Sequence, residues 1–155
     1  MIKAKENIKV SILGMGYIGL PTAALIASKG IKVAGVDVNK NVVETINKGK
    51  IHIVEPDLDG LVHFAVSKKY LTAGTSVAPS DVFLIAVPTP FSEGHKPDLS
   101  YVENATKMII PHLRSGNLLI IESTSPVGTT EKMASIIFKA RPELKDKIWI
   151  AYCPE

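Results

Sequence analysis

The chain has 155 residues, 46% of them hydrophobic, which is enough to bury one core and indicates a single domain over residues 1–155. Its net charge is only +3 and its lysines are scattered, so a nucleic-acid-binding surface is not expected. A single cysteine, Cys153, excludes an internal disulfide, no Cys/His cluster suggests a metal site, and a reducing cytoplasmic setting fits best.

An uncharged stretch at residues 10–28 follows three lysines and has the hydropathy of a signal peptide or membrane span. Glycines and a proline punctuate it, however, and would break a continuous apolar helix. The punctuating residues are Gly14, Gly16, Gly19 and Pro21. A strand at 8–13, a tight turn and a helix at 20–29 use all four, so we expect no membrane segment here.

Short runs rich in Val and Ile alternate along the chain with longer segments of helical spacing. The predicted strands are 8–13, 32–38, 71–73, 82–87, 118–122 and 147–152. This alternation is typical of βαβ units. It predicts a Rossmann-type, doubly wound α/β fold with a mainly parallel six-stranded sheet and helices on both faces.

Local signals place the helices between these strands. Asn39 should cap a helix that Gly49 ends, and Asp57 should start the next one. Ser100 and Glu103 form a capping-box pattern for a helix that Pro111 kinks or ends. A last helix follows the hydroxyl-rich turn and runs to about residue 140; an N-cap role would account for one of the turn hydroxyls but not for the four others.

The turn after the first strand has the spacing G-x-G-x-x-G, and its context strengthens an otherwise weak motif. Gly14 permits a tight turn, Gly16 lets the backbone approach a pyrophosphate, and Gly19 allows close packing of helix on strand. The N–H groups of Tyr17 and Ile18, at the positive end of the helix, are expected to bind that anion. Their side chains could equally serve only for packing.

Asp37 ends the second strand, where a carboxylate can accept hydrogen bonds from a ribose diol and repel a 2′-phosphate. It therefore predicts NAD as cofactor in preference to NADP. Two alternatives stay open at this point. Asp37 could instead cap the following helix, and a methyltransferase that binds S-adenosylmethionine could share the loop, although the three-glycine spacing disfavours it.

Three more segments lie where later strands end. Residues 87–91 carry two prolines around Thr89, residues 122–130 form a hydroxyl-rich turn, and residues 152–155 bring a carboxylate to the same edge of the sheet. Open α/β sheets bind their ligands at this edge.

Together with residues 51–58 (IHIVEPDL), the segments 87–90 (VPTP), 122–128 (ESTSPVG) and 152–155 (YCPE) make the chain resemble the UDP-glucose/GDP-mannose dehydrogenase family. The resemblance spans nearly the whole chain. The variants at 51–58 and 152–155 favour the branch that acts on UDP-N-acetyl-D-mannosamine. The chain is then expected to be the N-terminal NAD-binding domain of a longer enzyme, with its middle and C-terminal substrate domains absent.

The resemblance implies that NAD oxidises the C6 alcohol of a UDP-linked hexose twice, through a thioester on a cysteine beyond residue 155. Glu155 is similar to the carboxylate that handles water in thioester hydrolysis, and Thr124 to a threonine that positions a water or substrate hydroxyl. Thr89 and Thr130 resemble cofactor contacts. Cys153 is expected to be a buried structural thiol. The full-length enzyme is expected to be a homodimer for polysaccharide biosynthesis.

A different class of protein fits the same cofactor motif. A stand-alone Rossmann module could sense NAD or NADH and regulate a partner without catalysis. A reactive cysteine in a following domain would favour the enzyme.

Overall fold

The computed structural model describes residues 8–90 and 97–153, and six strands in this part of the chain form one sheet. They are β1 (Lys9–Leu13), β2 (Lys32–Val36), β3 (Leu71–Gly74), β4 (Val82–Ile85), β5 (Leu118–Ile121) and β6 (Trp149–Tyr152). The order is β3-β2-β1-β4-β5-β6 and every neighbouring pair is parallel. The predicted Rossmann-type fold is confirmed.

The strands on either side of β1 end earlier than predicted. β2 stops at Val36 and β4 at Ile85, level with Leu13 at the end of β1, and Gly14 follows with a positive φ. The ladders that β1 forms with both neighbours end together at this level. The resulting crevice opens at the carboxyl ends of β1, β2 and β4, at the point where the strand order reverses.

The main helices are α1 (Gly19–Ser28), α2 (Lys40–Asn47), α3 (Leu58–Ser67), α4 (Ser100–Ile109) and α5 (Thr129–Ala140). Asn39 caps α2 as predicted, since its side chain accepts a hydrogen bond from the Asn41 N–H at 3.0 Å. Gly49 follows with a positive φ of 70°. Pro111 lies in a short 3-10 turn, Ile110–His112, that terminates α4.

The capping box predicted for α4 is wrong. Ser100 is the first residue of the helix, and the Oδ1 atom of Asp98 accepts a hydrogen bond from its backbone N–H at 2.9 Å. Glu103 instead forms an ion pair with Lys132 of α5, with 2.7 Å between Oε1 and Nζ. The pattern failed because Asp98, two residues earlier, reaches the same backbone donor.

Alternating side chains divide the core into two layers. Val10 and Ile12 of β1 face α1 and α3, whereas Leu13 of β1 and Phe83 and Ile85 of β4 face α4 and α5. Full burial of one such side chain contributes about 1.5–3 kcal/mol to the free energy of folding. Both layers therefore stabilise the sheet on which the site is built. None of the helices in the described residues could cross a bilayer.

Candidate functional site

The glycine-rich turn has the close contacts that its spacing predicts. Gly14 has a φ of 92°, and its N–H donates to the Val36 carbonyl at 2.8 Å. A Cβ atom on Gly19 would lie 1.7 Å from the Gly14 carbonyl oxygen, which only glycine avoids. At Gly16 a Cβ would meet no described atom within 4 Å and would instead occupy open space.

Helical hydrogen bonding in α1 starts inside this turn, where the Leu20 N–H donates to the Gly16 carbonyl at 3.1 Å. Within the described residues, the N–H groups of Tyr17 and Ile18 have no backbone acceptor. Unpaired amides at the positive end of a helix, next to the space at Gly16, form a cradle for an anionic pyrophosphate. The side chain of Tyr17 is exposed.

Asp37 connects the glycine-rich turn to the end of β2. Its Oδ2 atom accepts from the Met15 N–H at 3.0 Å, and its Oδ1 atom accepts from the Asn39 N–H at 2.9 Å. The carboxylate is half-buried and lines a cavity of about 390 Å³. Helix capping is thus not the only structural role of Asp37, because one of its oxygens bonds the glycine-rich turn.

This larger cavity lies at the ends of β1, β2 and β4 and is walled on one side by α4. Leu13, Gly14, Val36 and Val87 line it from the sheet. Tyr101, Asn104, Ala105 and Met108 line it from α4. A mostly apolar cleft with a carboxylate at its mouth suits an adenine ring and its ribose. Sequence reasoning gave the α4 side chains no role at the site, although Tyr101 at an exposed helix position was an available signal.

A smaller cavity of about 180 Å³ lies beyond the glycine-rich turn, at the ends of β4 and β5. Ile18, Thr89, Glu122 and Thr124 contribute to its lining. The two threonines are joined, since the Thr89 hydroxyl donates to the Thr124 carbonyl at 2.7 Å. The glycine-rich turn therefore has one cleft on each side, and Ile18 and Thr89 lie at the smaller cleft.

Three hydroxyls of the hydroxyl-rich turn form short hydrogen bonds, two within the turn and one to Val87 outside it. Ser123 donates to the Val87 carbonyl, Ser125 to the Ser123 carbonyl and Thr129 to the Pro126 carbonyl, all at 2.7–2.8 Å. No side chain caps α5, because Gly128 occupies the cap position with a φ of 89°. The alternative of an N-cap role therefore accounts for none of the turn hydroxyls.

Thr124 and Thr130 are the two hydroxyls of that turn for which the described residues show no hydrogen bond. Thr124 is exposed and lines the smaller cavity, whereas Thr130 lies in the first turn of α5. Among the described residues that line the two cavities, Thr130 is not included. The roles suggested for both threonines stay predictions.

The end of the chain is described as far as Cys153. Glu155, the predicted base, lies outside the described residues. The expectation that Cys153 is buried is wrong, since it is exposed directly after β6, with its N–H bonded to the Ile121 carbonyl at 2.9 Å. Among the described residues, β6 is an edge strand of the sheet. Within the described residues, no His, Cys, Asp and Glu side chains gather into a group that could bind a metal ion.

Comparison with known proteins matches residues 8–155 to the sequence model of the UDP-glucose/GDP-mannose dehydrogenase family, NAD binding domain. The chain belongs to this family. Its cofactor is accordingly NAD, and the open space at Gly16, the unpaired turn amides and the Asp37 carboxylate are features that fit this group.

Individual relatives agree with the family assignment. The chain is 56% identical over 154 residues to a UDP-N-acetyl-D-mannosamine dehydrogenase of Yersinia pestis, with 94% of this chain and 37% of the relative covered. It is 52% identical over 154 residues to an NDP-N-acetyl-D-galactosaminuronic acid dehydrogenase of Ralstonia nicotianae, covering 94% and 36%. The UDP-N-acetyl-mannosamine dehydrogenase of Staphylococcus aureus superposes with a TM-score of 0.89 at 36% identity, covering 95% and 36%.

The chain therefore spans little more than a third of the length of these relatives. The part that matches the family model is the NAD binding domain.

Proposed function

We propose that this chain supplies the NAD site of an enzyme that oxidises the C6 alcohol of a UDP-linked hexose to the carboxylate in two hydride transfers. UDP-N-acetyl-D-mannosamine is the proposed sugar nucleotide, since the relatives of that name reach 56% identity. The observation that carries the proposal is the pair of clefts on either side of the glycine-rich turn, with Asp37 in the larger one.

The lining of the two clefts supports one direction for the bound NAD. Asp37 receives the adenosine ribose in the larger cleft, and the amides of Tyr17 and Ile18 hold the pyrophosphate. The nicotinamide end then reaches the smaller cleft, beside Thr89 and Thr124. When bound there, NAD supplies the hydride acceptor.

The residues of the chain would orient the reactants. Thr89 is anchored to the Thr124 carbonyl, so it keeps lone pairs for a donor on the nicotinamide group. Thr124 is exposed at the same edge, where its hydroxyl would position a water or a substrate hydroxyl. Thr130 is proposed as a further cofactor contact. Glu155 is proposed as the base that activates water, in a homodimeric full-length enzyme.

The test is made on the full-length gene product with UDP-N-acetyl-D-mannosamine, UDP-glucose and GDP-mannose in turn. A UDP-linked N-acetylgalactosamine is included, because a relative named for the corresponding uronic acid is 52% identical. We expect two NADH per UDP-N-acetyl-D-mannosamine consumed. If NAD binds and no sugar reacts, the substrate assignment fails, and a module that senses NAD or NADH becomes the better description.

A further inference from the structure

A buried carboxylate lies at the smaller cleft and has no role in the function proposed above. Glu122 follows β5, is only 9% exposed, and contributes to the lining beside Ile18 and Thr124. Its Oε1 atom accepts a hydrogen bond from the Thr22 hydroxyl at 3.3 Å, across 100 positions of sequence. Burial of a carboxylate is costly, so a glutamate placed here calls for a specific explanation.

Two features next to Glu122 are of the kind that stabilise an ionised carboxylate. Thr22 lies in the first turn of α1, where its hydroxyl donates to the carboxylate and the helix carries its partial positive charge. The backbone is also fixed, since the Glu122 N–H donates to the Ile85 carbonyl at 2.9 Å. The Glu122 side chain is thus held in a defined place at the rim of the smaller cleft.

We infer that Glu122 is ionised in the folded protein and sets the preference of this site between the two redox states of its cofactor. The oxidised nicotinamide ring carries a positive charge and the reduced ring is neutral. A fixed carboxylate with little water around it attracts only the former, and such an attraction is stronger than in bulk solvent. This inference rests on the proposed function, because it requires the nicotinamide to lie in the smaller cleft.

The consequence concerns the order of events in a double oxidation. Each hydride transfer turns the cationic ring into a neutral one and removes its attraction to Glu122. The site would then release NADH more readily and accept the second NAD, which two oxidations of one sugar require. Glu122 acts here as a specificity-determining residue for the cofactor and takes no part in proton transfer.

The test is calorimetric titration of the full-length gene product with NAD and with NADH separately. Glu122→Gln keeps the shape of the side chain and removes its charge. The variant should weaken NAD binding on the order of tenfold relative to NADH, as expected for loss of one partly buried charge. The control is Glu131→Gln, an exposed carboxylate in the first turn of α5, which should leave the NAD/NADH affinity ratio within about twofold of wild type.

The outcomes of this titration distinguish a failure of the inference from a failure of the proposed function. Equal weakening of both cofactors by Glu122→Gln, or an unchanged ratio, overturns the inference and leaves the proposed function standing. A wild-type chain that binds neither cofactor overturns both. If Glu122→Gln does not fold, the wild type still decides, because a preference of about tenfold or more for NADH over NAD contradicts an attraction to the oxidised ring.

Discussion

The backbone N–H of Met15 donates a hydrogen bond of 3.0 Å to the Oδ2 atom of Asp37, so the residue predicted to bind ribose also stabilises the glycine-rich turn. The two residues lie 22 positions apart in sequence. The same carboxylate bonds the Asn39 N–H through its other oxygen. Substitutions of Asp37 will therefore change both a ligand contact and the shape of the turn that binds the pyrophosphate.

Replacing Asp37 by alanine should weaken NAD binding by about tenfold or more, since a hydrogen bond to a charged group contributes roughly 1.5–3 kcal/mol. The preference for NAD over NADP should also narrow, because the charge that repels a 2′-phosphate is gone. Titration with both cofactors measures this. Asp37→Asn separates the two effects, since its amide oxygen can still accept from Met15. Unchanged selectivity in Asp37→Ala would refute the ribose assignment.

Two glycine-to-alanine substitutions in the same turn should affect different properties of the protein, namely NAD binding at Gly16 and folding stability at Gly19. Gly16→Ala should keep the melting temperature within about 4 °C of wild type, because its Cβ meets no described atom within 4 Å, yet it should abolish NAD binding. Gly19→Ala should unfold or strongly destabilise the chain, because its Cβ would lie 1.7 Å from the Gly14 oxygen. Thermal unfolding and NAD titration distinguish them. A Gly16→Ala variant that binds NAD normally would argue against a pyrophosphate at this position.

Two buried serines provide a matched test of hydrogen bonding in the sheet. Ser11 of β1 is fully buried, and within the described residues its hydroxyl has no hydrogen-bond partner. Ser123 is also buried, but its hydroxyl donates to the Val87 carbonyl at 2.7 Å. Ser11→Ala should leave the free energy of unfolding unchanged or raise it, whereas Ser123→Ala should lower it by about 1–2 kcal/mol. Urea unfolding of both variants measures the difference, and equal losses would contradict it.

The start of α4 should show a pH dependence on the acid side. The Ser100 hydroxyl and, second, its backbone N–H hold the pKa of Asp98 below its ordinary value. A lowered folded-state pKa means that the stabilisation is complete above the ordinary value, near about 4, and is lost as the pH falls through the lowered one. Ser100→Ala should raise the pKa of Asp98 in a carboxyl NMR titration. An unchanged pKa would show that the hydroxyl is not the main cause.

Much of the fold could be predicted because its signals are local. Period and composition identified the six strands, and Asn39 and Gly49 bounded α2, since a cap or a left-handed residue depends on its immediate neighbours. Local signals also explain the error at α4, where Asp98 and Ser100 both offered hydrogen-bonding groups to the same turn. The pattern alone does not decide between two competing side chains so close together.

The sequence by itself determined the glycine-rich turn, because only residues without a Cβ permit the contacts at Gly14 and Gly19. It also placed Asp37 at the strand end next to that turn. Only the tertiary structure brought Thr22 against Glu122 and joined Thr89 to Thr124, and only it made Tyr101 a wall of the larger cleft. These contacts depend on the order of the strands in the sheet. The strand order depends on how helices pack on both faces of the sheet at once. It therefore cannot be predicted from a local sequence pattern.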